Sequence, residues 1–168
     1  AGANHAVALS ASGFVYTWGD NSYGQLGYND RKISNSRAAR RMSKGASPSN
    51  SNYVQEVVSV TAGSNFTMVT MSNGTTFTVG QNSQGQLGDS TQTNRYSFVK
   101  VLKGESENLY DVNNNYLDKV VSIAAGRAHA IVLRLDGSIY AWGVGEQGQI
   151  GDGLPAAATI VTYVCTKC

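Results

Sequence analysis

The chain alternates short apolar-rich runs with turn residues. Three pairs of runs stand out: Ala6–Ser10 with Phe14–Trp18, Phe66–Met71 with Thr75–Val79, and His129–Arg134 with Ile139–Trp142. Each pair brackets a dipeptide ending in glycine: Ser12-Gly13, Asn73-Gly74 or Asp136-Gly137. Asn-Gly and Asp-Gly suit type I′ turns, whose two central residues need positive φ, so the pattern predicts three tight β-hairpins. The run His129-Ala130-Ile131-Val132-Leu133 is apolar on both faces. That fits a sheet packed between two others rather than one wetted on a side.

The hairpins belong to a longer repeat. Ala1–Gly27, Ala62–Gly88 and Ala125–Gly151 superimpose without a gap, at offsets of 61 and 63 residues. Val57-Val58-Ser59-Val60 ahead of the second copy matches Val120-Val121-Ser122-Ile123 ahead of the third. After each hairpin comes a glycine-punctuated loop ending Gly24-Gln25-Leu26-Gly27, Gly85-Gln86-Leu87-Gly88 or Gly148-Gln149-Ile150-Gly151. The expectation is that Leu26, Leu87 and Ile150 plug the core beneath these loops while the Gln side chains satisfy loop amides. Gly13, Gly74 and Gly137 in the turns, with Trp18 and Trp142, complete the structural set. Adding Val57–Ala62 before the hairpin and Phe98–Leu102 after it gives four strands per copy, or 11 in all, because the first copy starts past its own first strand. The boundaries are 1–45, 56–104 and 119–168, with insertions at 46–55 and 105–118.

Four-stranded repeats that cannot bury their faces alone stack radially, so the fold class is all-β, a β-propeller built of antiparallel four-stranded blades. The pattern V-x-x-V-x-A-G, hairpin, W-G-x-N-x-x-G-Q-L-G closely resembles the regulator of chromosome condensation repeat family. Trp18-Gly19-Asp20-Asn21-Ser22-Tyr23-Gly24-Gln25-Leu26-Gly27 is nearly its signature. Three positions depart from it: Val79 stands for Trp, Phe66 for the His of His5 and His129, and Gly145 for the Asn of Asn21 and Asn82. The resemblance implies a ring of about seven blades. Three copies do not close one. The expectation is therefore a partial ring: either part of a longer repeat protein or several chains completing the ring by self-association, with an apolar sheet face exposed at an open end.

Composition changes the picture little. The chain has 168 residues, 41% hydrophobic and 14% charged, with 44 Ser, Asn and Thr together and a net charge of +2. Such a charge gives no support to nucleic acid as partner, and no run reaches the roughly 18 apolar residues of a membrane span.

Candidate chemistry is sparse. His5 and His129 occupy equivalent repeat positions and read as structural residues hydrogen-bonded within their own blades. Of the carboxylates that pairing would need, Asp136 belongs to a turn and Glu146 to a loop. No nucleophile elbow, zinc-protease motif or phosphate-binding loop occurs. Cys165 and Cys168 form one C-x-x-C, whereas a zinc ribbon needs two such knuckles. Asn65-Phe66-Thr67 and Asn73-Gly74-Thr75 match the glycosylation acceptor without fixing a compartment. The chain reads as a non-enzyme needing no cofactor or metal.

Two charge runs remain. Between 31 and 44 lie Arg31, Lys32, Arg37, Arg40, Arg41 and Lys44 with no acid; between 105 and 118 lie Glu105, Glu107, Asp111 and Asp118 with no base, and with Tyr110 and Tyr116. Read as inter-strand loops, both form a partner-binding face, on neighbouring and equivalent connections. Read by alignment, Arg40 and Met42 fall on Val99 and Val101 of a strand. The function expected is a protein- or ligand-binding propeller module of a surface or secreted repeat protein, a setting its neutral-polar composition favours over a cytoplasmic or nuclear one. The alternative implied by the resemblance is an exchange factor for a small GTPase docked on chromatin. The plant ultraviolet photoreceptor, with Trp in Gly-Trp-Arg-His-Thr, is excluded by Gly2-Ala3, Gly63-Ser64 and Gly126-Arg127.

Overall fold

The computed structural model describes residues 1–43, 53–104, 115–153 and 158–165. Its strands form three antiparallel sheets. The first holds β1 (His5–Leu9), β2 (Val15–Asp20) and β3 (Asn35–Arg41). The second holds β4 (Val57–Ala62), β5 (Phe66–Met71), β6 (Thr76–Gly80) and β7 (Arg95–Lys100). The third holds β8 (Val120–Ala125), β9 (His129–Arg134), β10 (Ile139–Gly143) and β11 (Ala158–Cys165). Strand order follows the chain in every sheet, the up-and-down order of a propeller blade. Among the described residues the strands number eleven, the count that the repeat arithmetic gives.

The turns differ from the expected type. In the second hairpin the Met71 amide donates to the Thr75 carbonyl and the Gly74 amide to the Met71 carbonyl, both at 2.9 Å, so Ser72-Asn73-Gly74 fills the loop. The same pair of bonds closes Ser10 onto Phe14 and Arg134 onto Ser138. Only the glycine of each loop is left-handed, with φ of 77°, 79° and 83° at Gly13, Gly74 and Gly137. This is a three-residue loop, a type I turn followed by a left-handed glycine. Asn73 and Asp136 serve it otherwise: their side-chain oxygens each accept a backbone amide at 3.0 Å, from Thr75 and Ser138. A side chain on Gly74 would also strike the Lys119 backbone at 2.8 Å, where the chain enters the third sheet.

The outer strands sit earlier than expected and are bulged. Thr78 pairs with Val99 but Gly80 with Arg95, so β7 carries two extra residues opposite Val79. The first and third sheets repeat this register. The basic segment is corrected by the same comparison. Asn35–Arg41 is the outer strand of the first sheet, with Arg41 opposite Tyr16 and Arg40 opposite Thr17, and it corresponds to β7. The acidic segment lies one element further on, in the connection after β7. The two are therefore not equivalent connections.

Two cores fill the joints between sheets. Val15, Val57, Val69, Phe77 and Val79 bury between the first and second; Phe66, Met68, Val132, Tyr140 and Trp142 bury between the second and third. β5 and β6 are thus buried on both faces. On the third sheet the far face stays open. Ile131 and Leu133 are 40% and 38% exposed, whereas Met68 and Thr70 at the same register of the second sheet are covered. Leu26, Leu87 and Ile150 are buried as plugs. The Thr17 and Thr78 hydroxyls donate to the Leu26 and Leu87 carbonyls at 2.8 and 2.6 Å, and Asn21 and Asn82 accept the Leu amides at 2.9 Å. Gln25, Gln86 and Gln149 accept the amides of Tyr23, Gln84 and Gln147, as the sequence leads one to expect.

Candidate functional site

The polar groups of the joints were the first candidates for chemistry, and they are structural. His5 does not bond within its own blade as expected. Its Nε2 lies 3.0 Å from Thr67 Oγ1 on the second sheet. Thr67 in turn donates to the Gln25 carbonyl of the first, at 2.8 Å. Thr67 oxygen must then accept from His5, which places the imidazole proton on Nε2 and leaves Nδ1 buried without a partner. Burial lowers the His5 pKa to about 4. Gly2 and Gly126 leave room for the His5 and His129 rings, as Gly63 does for Phe66. At the other joint Trp142 Nε1 donates to the Gln86 carbonyl at 2.9 Å. Val79 has no such donor, and Thr67 replaces it. Thr67→Val strands both His5 Nε2 and the Gln25 carbonyl, at an expected cost of about 2 kcal/mol. Thr67→Ser keeps the hydroxyl and is expected to lose less than half as much. Urea midpoints of the two variants check this, and an unchanged midpoint in Thr67→Val contradicts it.

Several carboxylates are also engaged. Asp89 pairs with Arg95 at 2.7 Å. Burial works against its charge, but hydrogen bonds from Thr91, Arg95 and Asn82 hold the carboxyl below its usual range. Asp118 of the acidic segment pairs with buried Arg134 at 3.0 Å and faces Lys103 at 3.7 Å. Asp136 pairs with Arg134 at 3.1 Å. These acids raise the Arg134 pKa against the opposing effect of burial. Among the described residues no three His, Cys, Asp or Glu side chains gather in a metal-binding group.

The basic residues behave differently. Arg31 and Lys32 lie in the loop before β3; Arg37 falls in its bulge; Arg40 and Arg41 end it. All five are exposed, and among the described residues none makes an ion pair. Three of them rest on aromatic rings instead. Arg31 lies 5.0 Å over Tyr96, and Arg40 lies 5.1 Å over Tyr28. Arg41 lies 4.2 Å over Phe14, also facing Tyr16 and Tyr53, and its Nε donates to Tyr16 Oη at 3.0 Å. Tyr116 carries Lys100 at 4.6 Å beside a groove of about 500 Å³ lined by Phe77, Phe98, Asp89 and Arg95. Lys44, Glu105, Glu107, Tyr110, Asp111 and Cys168, and the side chain of Cys165, lie outside the described residues. The sequence reading missed Tyr28 and Tyr96. No local signal marked them: Tyr96 lies 65 residues from Arg31, and Tyr28 lies 12 from Arg40.

A family model described as Regulator of chromosome condensation (RCC1) repeat matches residues 12–70, and a second of the same description matches 120–149. The chain is 34% identical over 154 residues to the Homo sapiens Probable E3 ubiquitin-protein ligase HERC3, covering 91% of this chain and 13% of that protein. It is 30% identical over 153 residues to the Xenopus laevis Regulator of chromosome condensation, covering 90% and 31%. It thus spans less than a third of either relative. Among solved structures it superimposes on Prp20p of Saccharomyces cerevisiae with a TM-score of 0.74 at 20% identity, over 99% of this chain and 37% of that one. Human WBSCR16 gives 0.72 at 24% identity, over 98% and 38%. At these identities the likeness is one of fold. The Prp20p structure is described together with that protein's binding to Gsp1p and histones.

Proposed function

Because the chain belongs to the regulator of chromosome condensation repeat family, we propose that it is a non-catalytic propeller module that holds a protein partner by the outer edge and loops of its blades. The observation that carries this is the set Arg31, Lys32, Arg37, Arg40 and Arg41: five exposed cations on the edge of one sheet, none ion-paired among the described residues. Elsewhere Arg95, Lys103 and Arg134 have carboxylate partners. A surface left this positively charged steers an acidic partner and fixes its orientation more than it stabilises the fold. The low charged fraction of 14% supports membership of a longer surface or secreted repeat protein. The competing role is exchange on a small GTPase at chromatin.

The test compares the wild type with a variant carrying Ser at all five positions, each used to capture proteins from lysate and medium of the source. Exposed substitutions usually stay within about 0.5 kcal/mol each, so melting curves establish that the variant is folded. The expected result is a surface or secreted protein retained by the wild type and lost by the variant. Recovery of a small GTPase or nucleosomes establishes the competing role. Identical captures by both proteins overturn the proposal.

A further inference from the structure

The five cations do not stand alike. Tyr16 occupies the register position of Phe77 and Tyr140, each of which buries against the preceding sheet. Tyr16 and the Arg41 stacked on it therefore face the side of the first sheet where no neighbour is described. Arg40 and Arg31 face the other way, onto the joint with the second sheet. The Tyr28 hydroxyl beneath Arg40 donates to the Thr17 carbonyl of β2 at 2.5 Å. Tyr96 beneath Arg31 is the second residue of β7. It is fastened to the first sheet's loop at both ends, its carbonyl accepting the Asn29 amide at 3.1 Å and its hydroxyl donating to the Ser22 carbonyl at 3.0 Å. Both stacks thus lie where two sheets meet, and their exposure owes nothing to a missing neighbour. Asp30, next to Arg31 in the chain, accepts the Lys32 amide at 2.8 Å and makes no ion pair among the described residues.

A guanidinium held over a ring keeps its N–H fork free for other acceptors and has already lost part of its rotamer freedom. Less entropy is then lost when the fork closes on an anion. The two stacks rest on separate rings of separate sheets. Each offers its own fork, which suits two carboxylates spaced along one chain better than a single phosphate. A net charge of only +2 gives little long-range pull on a nucleic acid. Resting on the reading of the chain as a partner-binding module, we propose that Arg31 and Arg40, stacked on Tyr96 and Tyr28 across the joint between the first two sheets, form a paired guanidinium site for the carboxylates of an extended acidic protein segment.

The experiment uses a short labelled peptide of alternating Glu and Gly, followed by fluorescence anisotropy at low salt. Wild type binds it. Arg31→Ala and Arg40→Ala each weaken binding about tenfold, the scale of one charge-assisted fork. Arg31→Lys and Arg40→Lys weaken it less, and the double Ala variant flattens the salt dependence. Arg127→Ala, an exposed cation between β8 and β9 of the third sheet, changes affinity less than about twofold. Melting curves confirm that each variant is folded. An unbound peptide, an equal loss in Arg127→Ala, or tighter binding of a phosphoserine peptide or a single-stranded DNA of equal charge overturns the site. If the five-Ser variant loses its captured protein while peptide binding ignores Arg31 and Arg40, only the paired site falls. If capture is unchanged by the five-Ser variant, the broader proposal falls with it.

Discussion

Leu87→Ala is expected to lower the unfolding free energy by about 3–5 kcal/mol, the upper part of the range for a buried leucine. The reason is the rigidity of the surroundings. Leu87 is fully buried beside Trp142 in the joint of the second and third sheets. Its amide is held by Asn82 and its carbonyl by Thr78, and Gly85 and Gly88 hold the loop in left-handed turns with φ of 72° and 64°. A loop fastened at this many points does not sink into the space left by the lost methyls, so the cavity remains. In a chain of this size that corresponds to a fall in Tm of about 10 °C. Ile150→Ala is expected to cost less. Gly145 and Ala141 stand where Asn82 and Thr78 stand in the second repeat, so the third loop has fewer ties and collapses more readily. Denaturant unfolding of both variants decides the point. A Leu87→Ala loss under about 1 kcal/mol in a cooperative transition means the residue is not a plug.

Mild acid is expected to weaken the joint between the first two sheets before it affects any carboxylate. His5 has a folded pKa of about 4 against an ordinary value of 6.5. Above pH 6.5 the ring is neutral in folded and unfolded chains alike, and it contributes no pH dependence. Below that value the unfolded chain takes up a proton that the folded chain resists. Stability therefore falls between pH 6.5 and 4 by up to about 3 kcal/mol, then levels off. Asp20 and Asp89 have depressed pKa values, burial being outweighed by hydrogen bonds to the charged form. Their contribution is present above the ordinary carboxylate pKa and is lost only as pH falls further, through their folded values. The two windows are thus separate. His5→Gln keeps a donor toward Thr67 but cannot take a proton. The variant should show a flat urea midpoint from pH 6.5 to 4.5 where the wild type declines. Parallel profiles mean that the imidazole is solvated and the joint is open.

The hairpins, β4 and all three plugs were legible because they are buried on a strict period and marked by glycines that the backbone needs. β3 was harder. Asn35-Ser36-Arg37-Ala38-Ala39-Arg40-Arg41 has neither alternation nor apolar content. An outer strand pairs on one side and is wet on both faces at the rim, so burial imposes no pattern on it. Only the alignment of Arg40 and Met42 with Val99 and Val101 gave it away. The turn type was misjudged because a dipeptide does not fix loop length: the pairing of Met71 with Thr75 does. The His5 partner lies 62 residues along the chain, beyond the reach of any local pattern. The cations of the binding surface could be read directly. Their rings could not, because Arg31 meets Tyr96 only once two sheets are packed.

The Gln25 and Gln86 carbonyls have a consequence for how such repeats diverge. Each needs one donor from the next sheet, and the two joints supply it from different strands: a hydroxyl on β5, an indole on β10. The substitutions are coupled in the sequence itself, since Thr67 accompanies Val79 while Ala130 accompanies Trp142. Loss of the donor alone, Thr67 at one joint or Trp142 at the other, strands a buried carbonyl, a loss of roughly 1–3 kcal/mol, so drift from one solution has to bring in the donor of the other. A consensus array averaged column by column would mix the two solutions and inherit that loss at every mismatched joint; one assembled from whole Thr–Val or Ala–Trp cassettes would not.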